Sequence, residues 1–259
     1  MGPAAVVYWT HTGGIMDKVF AYILSYGGMA TVGLLGGAGC AVALAVHEKL
    51  DWPVLFPIWS LSLLPLYLGA KLFGVLSLMT YRLGLGQPVD LPLLFRDSGI
   101  VFYGGMLFFL LSVRLGIRRF VLYKRASGWG LTALMVPLFH GFARIGCYFG
   151  RCCYGVVAEG AFFARFFEHR LPVQLIESGF NFLLFIALLL LFYYRKRTRG
   201  KLVRVYLLSY AAFRFLIEFW RDDAVRGGFG PFSFSQWVSV CILIGLALRA
   251  ILRHRRHAV

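Results

Sequence analysis

The sequence predicts an all-α membrane protein of about seven transmembrane helices, and three observations predict it. First, 59% of the 259 residues are hydrophobic and only 15% are charged, with a mean hydropathy of +0.74. Soluble domains carry about 25% charged residues. Second, apolar runs recur at the length of about 20 residues that a helix needs to cross the hydrocarbon core. Third, the basic residues gather in short connecting stretches and in the C-terminal tail. In a soluble chain a formal charge of +16 suggests nucleic acid. Here it suits topology and anionic headgroups, so the expected partner is a membrane and not nucleic acid.

The expected spans are 19–46, 53–79, 99–122, 129–149, 172–194, 202–220 and 232–252. They make one domain over 1–259, without a soluble module, low-complexity linker or internal repeat. Asp17 and Lys18 precede the first run without a basic n-region or cleavage site, so that run reads as a retained helix. Arg114, Arg118 and Arg119 cut into the third. Basic clusters follow the third run (Arg118, Arg119, Lys124, Arg125), the fifth (Arg195, Lys196, Arg197, Arg199, Lys201) and the last (Arg249, Arg253, Arg255, Arg256). With seven spans these clusters share one side, which places them in the cytoplasm, the N-terminus outside and the C-terminus inside. Tyr26, Lys71, Tyr103, His140, Arg144, Gln174, Glu177, Arg214, Glu218 and Arg221 then lie at one outward level, as an outward-facing polar cavity requires.

Ionisable groups at membrane depth are costly and mark working sites by default. Arg214, Glu218 and Arg221 stand at i, i+4 and i+7 on one helix face. A planar guanidinium at this depth suits a phosphate, binding two oxygens at once. The plainer reading is a salt-bridge ladder that snorkels to the headgroups, and it weighs most on Arg221, at the end of its span. Arg144 needs a carboxylate or a phosphate, with Glu177 and Glu218 as candidate pairs. His140, one turn before Arg144, is a candidate general base or an interhelical hydrogen-bond partner.

Cys147, Cys152 and Cys153 admit three readings: a disulfide or inert packing, a nucleophilic thiol, and a metal site. The spacing C-x4-C-C lacks the C-x2-C knuckle of zinc sites, which ranks metal last, and no metal is expected. Cys40 and Cys241 read as buried apolar residues. Gly99, Gly104 and Gly105 suggest a broken or closely packed helix start lining a cavity. The stretch Arg226 to Pro231 reads as a turn before the last helix, which Ser235, Gln236 and Trp237 begin.

Five of these pieces, taken in order, resemble the motifs of the prolipoprotein diacylglyceryl transferase family. Ser25-Tyr26-Gly27-Gly28-Met29 is similar to its first-helix Tyr-Gly motif. Gly99 to Gly105 is similar to its glycine motif, which in the family reads Phe-His-Gly-Gly. Arg144-Ile145-Gly146, running to Gly155, is similar to its signature. Pro172-Val173-Gln174-Leu175-Ile176-Glu177 resembles Pro-x-Gln-Leu-Tyr-Glu, and Arg214 to Arg221 resembles Arg-Phe-x-x-Glu-x-x-Arg. The departures are local. Cys147 and Gly150 replace the two Asn of the signature, Cys152 replaces its Glu, and Tyr103 replaces the His of the glycine motif.

The resemblance implies a seven-helix bundle in the bacterial inner membrane with its site facing outward. It implies a reaction without a cofactor, in which phosphatidylglycerol or a similar anionic phospholipid gives its diacylglyceryl group to a cysteine thiol and glycerol phosphate leaves. Arg144, Arg214, Glu218, His140 and Tyr103 are the catalytic candidates; that His140 takes over the role of the family's histidine is inferred from its place beside Arg144 and is not part of the match. Tyr26, Gly104, Gly105, Gln174, Glu177 and Arg221 are the substrate-binding candidates. The family's outer head between the fourth and fifth helices is reduced here to 150–171, which leaves the acceptor open. The alternatives are a transferase acting on a small or glycan acceptor and a non-catalytic lipid transporter.

Overall fold

The computed structural model describes residues 22, 23, 25–222 and 227–257. The start of the first expected span (19–21), Asp17, Lys18 and Arg226 lie outside the described residues. Among the described residues ten α-helices follow one another: α1 (Tyr26–His47), α2 (Trp52–Leu61), α3 (Leu63–Gly84), α4 (Leu91–Asp97), α5 (Phe102–Phe120), α6 (Arg125–Phe149), α7 (Ala161–Phe167), α8 (Val173–Tyr194), α9 (Leu202–Ile217) and α10 (Phe234–His257). A two-stranded ribbon, Gly228–Phe229 with Phe232–Ser233, precedes α10. The chain is therefore an all-α, multi-pass membrane protein.

Among the described residues five helical stretches are long and apolar enough to cross a membrane: α1, α2 with α3, α6, α8 and α10. The third and sixth expected spans differ from the rest for separate reasons. The third is a bent pair, because α4 meets α5 at 91°. The extended residues Ser98 to Val101 make the corner, where Val101 N donates to Ala70 O (2.9 Å). The sixth, α9, has 16 residues and is about 24 Å long, short of the ~30 Å hydrocarbon core. A 3-10 turn, Glu218–Trp220, extends it.

The bundle is organised around α6, whose side chains are mostly buried. Glycines let its neighbours approach, as in membrane helix packing generally. A Cβ on Gly33 of α1 would stand 2.8 Å from Phe139 O and 2.9 Å from Phe142 Cβ; one on Gly146 would stand 2.9 Å from Tyr26 Cα. Between α3 and α5 the pair Gly69 and Gly104 plays the same part, since a Cβ on Gly69 would meet Gly104 O at 2.6 Å. The core between these helices holds Tyr103, Tyr206, Tyr210 and Phe192, each almost wholly buried.

At one end of the bundle the termini of α1, α6 and α8 meet on Arg199. The sequence places this residue in a topology-setting basic loop. In the structure it is buried. Its Nη1 binds Glu48 Oε2 (2.7 Å), its Nε donates to Phe192 O (2.9 Å), and its guanidinium lies 4.0 Å from the Phe192 ring centroid. Burial is possible because the charge is matched by a carboxylate and a helix C-terminal carbonyl. The hydrogen bond from Arg199 holds the Glu48 carboxyl below its ordinary value of 4.5.

Two expectations follow. Gly33→Leu separates α1 from α6 and destabilises the protein by about 1–3 kcal/mol. Gly39→Leu, where a Cβ meets nothing within 4 Å, leaves the melting temperature in detergent near wild type. Because Glu48 titrates lower when folded, its stabilising contribution is complete at neutral pH and is lost as pH falls through the folded value. Glu48→Gln therefore flattens the acid limb of the melting temperature below pH 4.5; an unchanged acid limb would refute the staple.

Candidate functional site

At the other end of the bundle, the C-terminal end of α6, the N-terminal turn of α8, the end of α9 and the start of α10 converge. Glu177 sits at their centre with 1% of its surface exposed. Arg144 Nε lies 2.5 Å from its Oε2; Arg221 Nη1 and Arg214 Nη1 lie 2.7 and 3.5 Å from its Oε1. Arg214 also pairs with Glu218 one turn on, and Arg221 Nε stands 3.7 Å from the same carboxylate. Glu218 accepts in turn from Ser233 Oγ (2.8 Å). Three guanidinium groups against two carboxylates leave one positive charge.

The i, i+4, i+7 ladder expected on one helix face is therefore a network across three helices. Arg221 does not snorkel: its side chain is 2% exposed and points inward to Glu177. The backbone makes this possible, because α9 tightens to a 3-10 turn at Glu218 and Arg221 then turns to an extended conformation. Arg221 pairs there with Gly155 in an isolated bridge.

Arg144, Glu177, Arg214 and Arg221 form the polar floor of a cavity of about 1140 Å³, walled mainly by apolar side chains of α1, α2, α3, α5 and α6, while Glu218 stands behind them off the cavity wall. This is larger than the ~300–1,000 Å³ typical of small-molecule sites. Arg144, Glu177, Arg214, Arg221, His140, Tyr103, Tyr26, Gly105 and all three clustered cysteines line it. Arg144 Nη2 has no hydrogen-bond partner among the described residues. It is a guanidinium donor on the wall of an apolar space.

His140 lies one turn from Arg144. Its ring stacks on Phe102 (centroids 3.6 Å apart, planes at 8°) and meets Tyr210 edge-on at 5.3 Å. Among the described residues its Nδ1 has no partner at full hydrogen-bonding geometry, but Asn181 of α8 is a hydrogen-bonding neighbour of the ring, so the interhelical contact offered by the sequence and the aromatic packing together orient the imidazole. Tyr103 is buried, with its hydroxyl 2.6 Å from Ser239 Oγ. Ser239 donates its own proton to Ser235 O (2.9 Å), so Tyr103 donates to Ser239.

Other expected site residues fall outside the polar floor. Gln174 is absent from the cavity wall; its Nε2 donates to Cys152 O (2.8 Å) and holds the loop that follows α6. Gly104 packs against α3, where a Cβ would meet the Phe73 ring at 2.6 Å, and only Gly105 reaches the cavity. Lys71, expected at the same level, is drawn off to Ser98 O (2.6 Å). Cys147, Cys152 and Cys153 are not disulfide-bonded.

Sequence reasoning missed the serines of the last segment. Ser235 Oγ accepts from Arg214 Nη2 (3.3 Å), and Ser233 and Ser239 make the contacts above. The available signal was their recurrence at 233, 235 and 239 in the run that leads into α10. The stretch 150–171 is an ordered clasp. Val156 N donates to Trp220 O (3.0 Å), and Arg170 Nη1 binds Asp222 Oδ2 (2.9 Å), so the segment after α6 is fastened to the end of α9.

The family model described as prolipoprotein diacylglyceryl transferase matches residues 16–251. The chain is 30% identical over 246 residues to the phosphatidylglycerol–prolipoprotein diacylglyceryl transferase 2 of Clostridium perfringens, an alignment that covers 89% of this chain and 91% of that protein. It is 29% identical over 252 residues to the corresponding transferase of Clostridium tetani, covering 90% and 95%. With the enzyme of Campylobacter hominis it shares 35% identity over 162 residues, 57% of this chain and 53% of that one. A match over almost the whole chain, together with the same motif order converging on one cavity, makes this protein a member of the prolipoprotein diacylglyceryl transferase family.

Proposed function

We propose that this chain is a transferase that moves the diacylglyceryl group of phosphatidylglycerol to the cysteine thiol of a lipoprotein precursor. It acts in the bacterial inner membrane, with its site facing outward. The observation that carries the reading is the single positive charge left by Arg144, Arg214 and Arg221 against Glu177 and Glu218, on the floor of a large apolar cavity. A phosphodiester carries one negative charge, and its acyl chains need an apolar space. The site supplies both.

The reaction breaks the bond between the diacylglyceryl carbon and its phosphate oxygen, and forms a carbon–sulfur bond. Glycerol phosphate leaves with its charge rising from one towards two. Donors already in place where charge develops lower such a barrier. Arg144 and Arg214 supply them, while Glu177 holds both guanidinium groups in register before the donor lipid arrives. The thiol must lose its proton as it attacks. His140 is our candidate acceptor, an imidazole oriented by Phe102 and Tyr210 on the cavity wall. Tyr103, hydrogen-bonded to Ser239, is a wall and an anchor for α10. Tyr26 and Gly105 line the space for the lipid. Gln174 and Gly104 act indirectly, through the loop and the helix packing.

The alternative of a small or glycan acceptor rests on the shortness of 150–171, and that of a lipid transporter on arginines that would only escort a phosphate. Two of the relatives named for prolipoprotein transfer align over 91% and 95% of their own length, so overall length does not set this chain apart from them.

Purified protein incubated with phosphatidylglycerol and a lipobox peptide should yield diacylglyceryl-peptide and free glycerol phosphate by mass spectrometry. Arg144→Ala and Arg214→Ala should each lower kcat by about 10²–10³-fold while the protein still inserts. Unmodified peptide with wild-type enzyme, or normal turnover in both variants, would refute the assignment. Glu177→Ala leaves three buried guanidinium groups without their shared carboxylate and should destabilise the protein by about 3–5 kcal/mol, read as a lowered melting temperature in detergent. Glu177→Ala melting with wild type would show that the network does not hold the helix ends together.

A further inference from the structure

The three cysteines occupy positions where the site has no proposed catalytic use for them, yet the fold brings them together. Cys147 closes α6, and Cys152 and Cys153 lie in the turn just beyond. Their sulfurs all lie within 4.8 Å of one another. Adjacent side chains ordinarily diverge. Here they converge because Arg151 (φ +50°) and Cys153 (φ +62°) both take the left-handed backbone conformation, which is strained for residues with a Cβ and persists only where the surroundings impose it. The imposing contacts are Cys152 N on Cys147 O (3.1 Å), and Gln174 Nε2 on Cys152 O (2.8 Å).

We propose that Cys147, Cys152 and Cys153 form a three-thiolate site for a soft divalent cation of the zinc group. Three thiolates at about 2.3 Å from one ion stand roughly 4 Å apart, so the observed cluster closes on an ion with sub-ångström shifts. Thiolate ligands select soft cations over the hard, oxygen-seeking ones. The fourth position opens to the cavity that all three residues line. Charge agrees as well. Three thiolates on a divalent cation carry one net negative charge, and Arg144 Nη1 already donates to Cys147 Sγ (3.4 Å). The same guanidinium that we assign to a phosphate thus neutralises the loaded thiolate site. Loading releases the three thiol protons to the buffer, and no electrons move.

The spacing C-x4-C-C conceals such a site, because it lacks the C-x2-C pattern by which zinc sites are read along a chain. Two left-handed residues replace that spacing with a tighter turn.

The test uses full-length protein in detergent with Cys40→Ser and Cys241→Ser, which leaves the three clustered thiols. Titration with Cd2+ should saturate at one ion per chain, with sulfur-to-cadmium charge-transfer absorption and release of about three protons. Cys152→Ser, at an exposed position, should weaken Cd2+ binding at least about 100-fold, beyond the loss from an outer-shell change, with the melting temperature of the variant read alongside. Cys147→Ser and Cys153→Ser should do the same. The readout is independent of transferase activity. Absence of charge-transfer absorption, equal Cd2+ affinity in Cys152→Ser, or a disulfide between Cys147 and either neighbour in protein kept under thiol reductant would each overturn the proposal.

Discussion

The carboxylate of Glu177 is the constraint on which the rest of this end of the molecule depends. Three guanidinium groups from α6, α9 and the turn after α9 reach it. Without it, three like charges would share a space from which water is largely excluded. Buried ion pairs are weak sources of net stability, because desolvation offsets most of their attraction, but losing one partner is strongly destabilising. Glu177 therefore fixes where the helix ends stand more than it stabilises the fold. It also leaves the arginines short of full neutralisation, which suits the anion-binding role proposed for them.

Two packing requirements conflict around this network. The cavity needs helices held apart, while the absence of a hydrophobic drive between helices in lipid demands close backbone contact. The chain separates the two in space. Gly33, Gly37 and Gly146 bring α1 against α6, and Gly69 with Gly104 brings α3 against α5. Between these two close pairs the apolar wall opens. The buried tyrosines, Tyr206 stacked on Tyr210 (5.7 Å) and Tyr210 against Tyr103 and His140, fill the depth below the polar floor. At the opposite end the Arg199–Glu48 pair closes the bundle with a second buried ion pair.

The turn after α6 joins the lipid-facing chemistry to the thiols. It follows Arg144 by three residues to Cys147 and is held by Gln174, which itself stands three residues before Glu177. The residues that hold the guanidinium in register and those that hold the thiol cluster are thus neighbours on the same two helices. An anion in the cavity and an ion on the thiolates would draw on one positive charge, so occupancy of either bears on the other.

Several elements were legible in the sequence for definite reasons. Hydropathy revealed the apolar helices, because a chain in lipid must satisfy its backbone internally and conceal few charges. The depth of Arg144, Glu177, Arg214 and Glu218 marked the site for the same reason. The motif order named the family that the comparison over residues 16–251 bears out. Other features were beyond linear reading. The corner before α5 depends on a backbone bond to Ala70 in another helix. The burial of Arg199 depends on Glu48, 151 residues away. Arg221 reads along the chain equally as an interfacial charge or as a ligand, and a 3-10 turn carries it inward to Glu177; Gln174 reads as a substrate-binding candidate, and its amide holds the loop before it. The sequence by itself determined which residues cannot rest in lipid unpaired. Only the tertiary structure decided which partner each one takes, because pairing is set by distances between helices that no spacing along a single helix encodes.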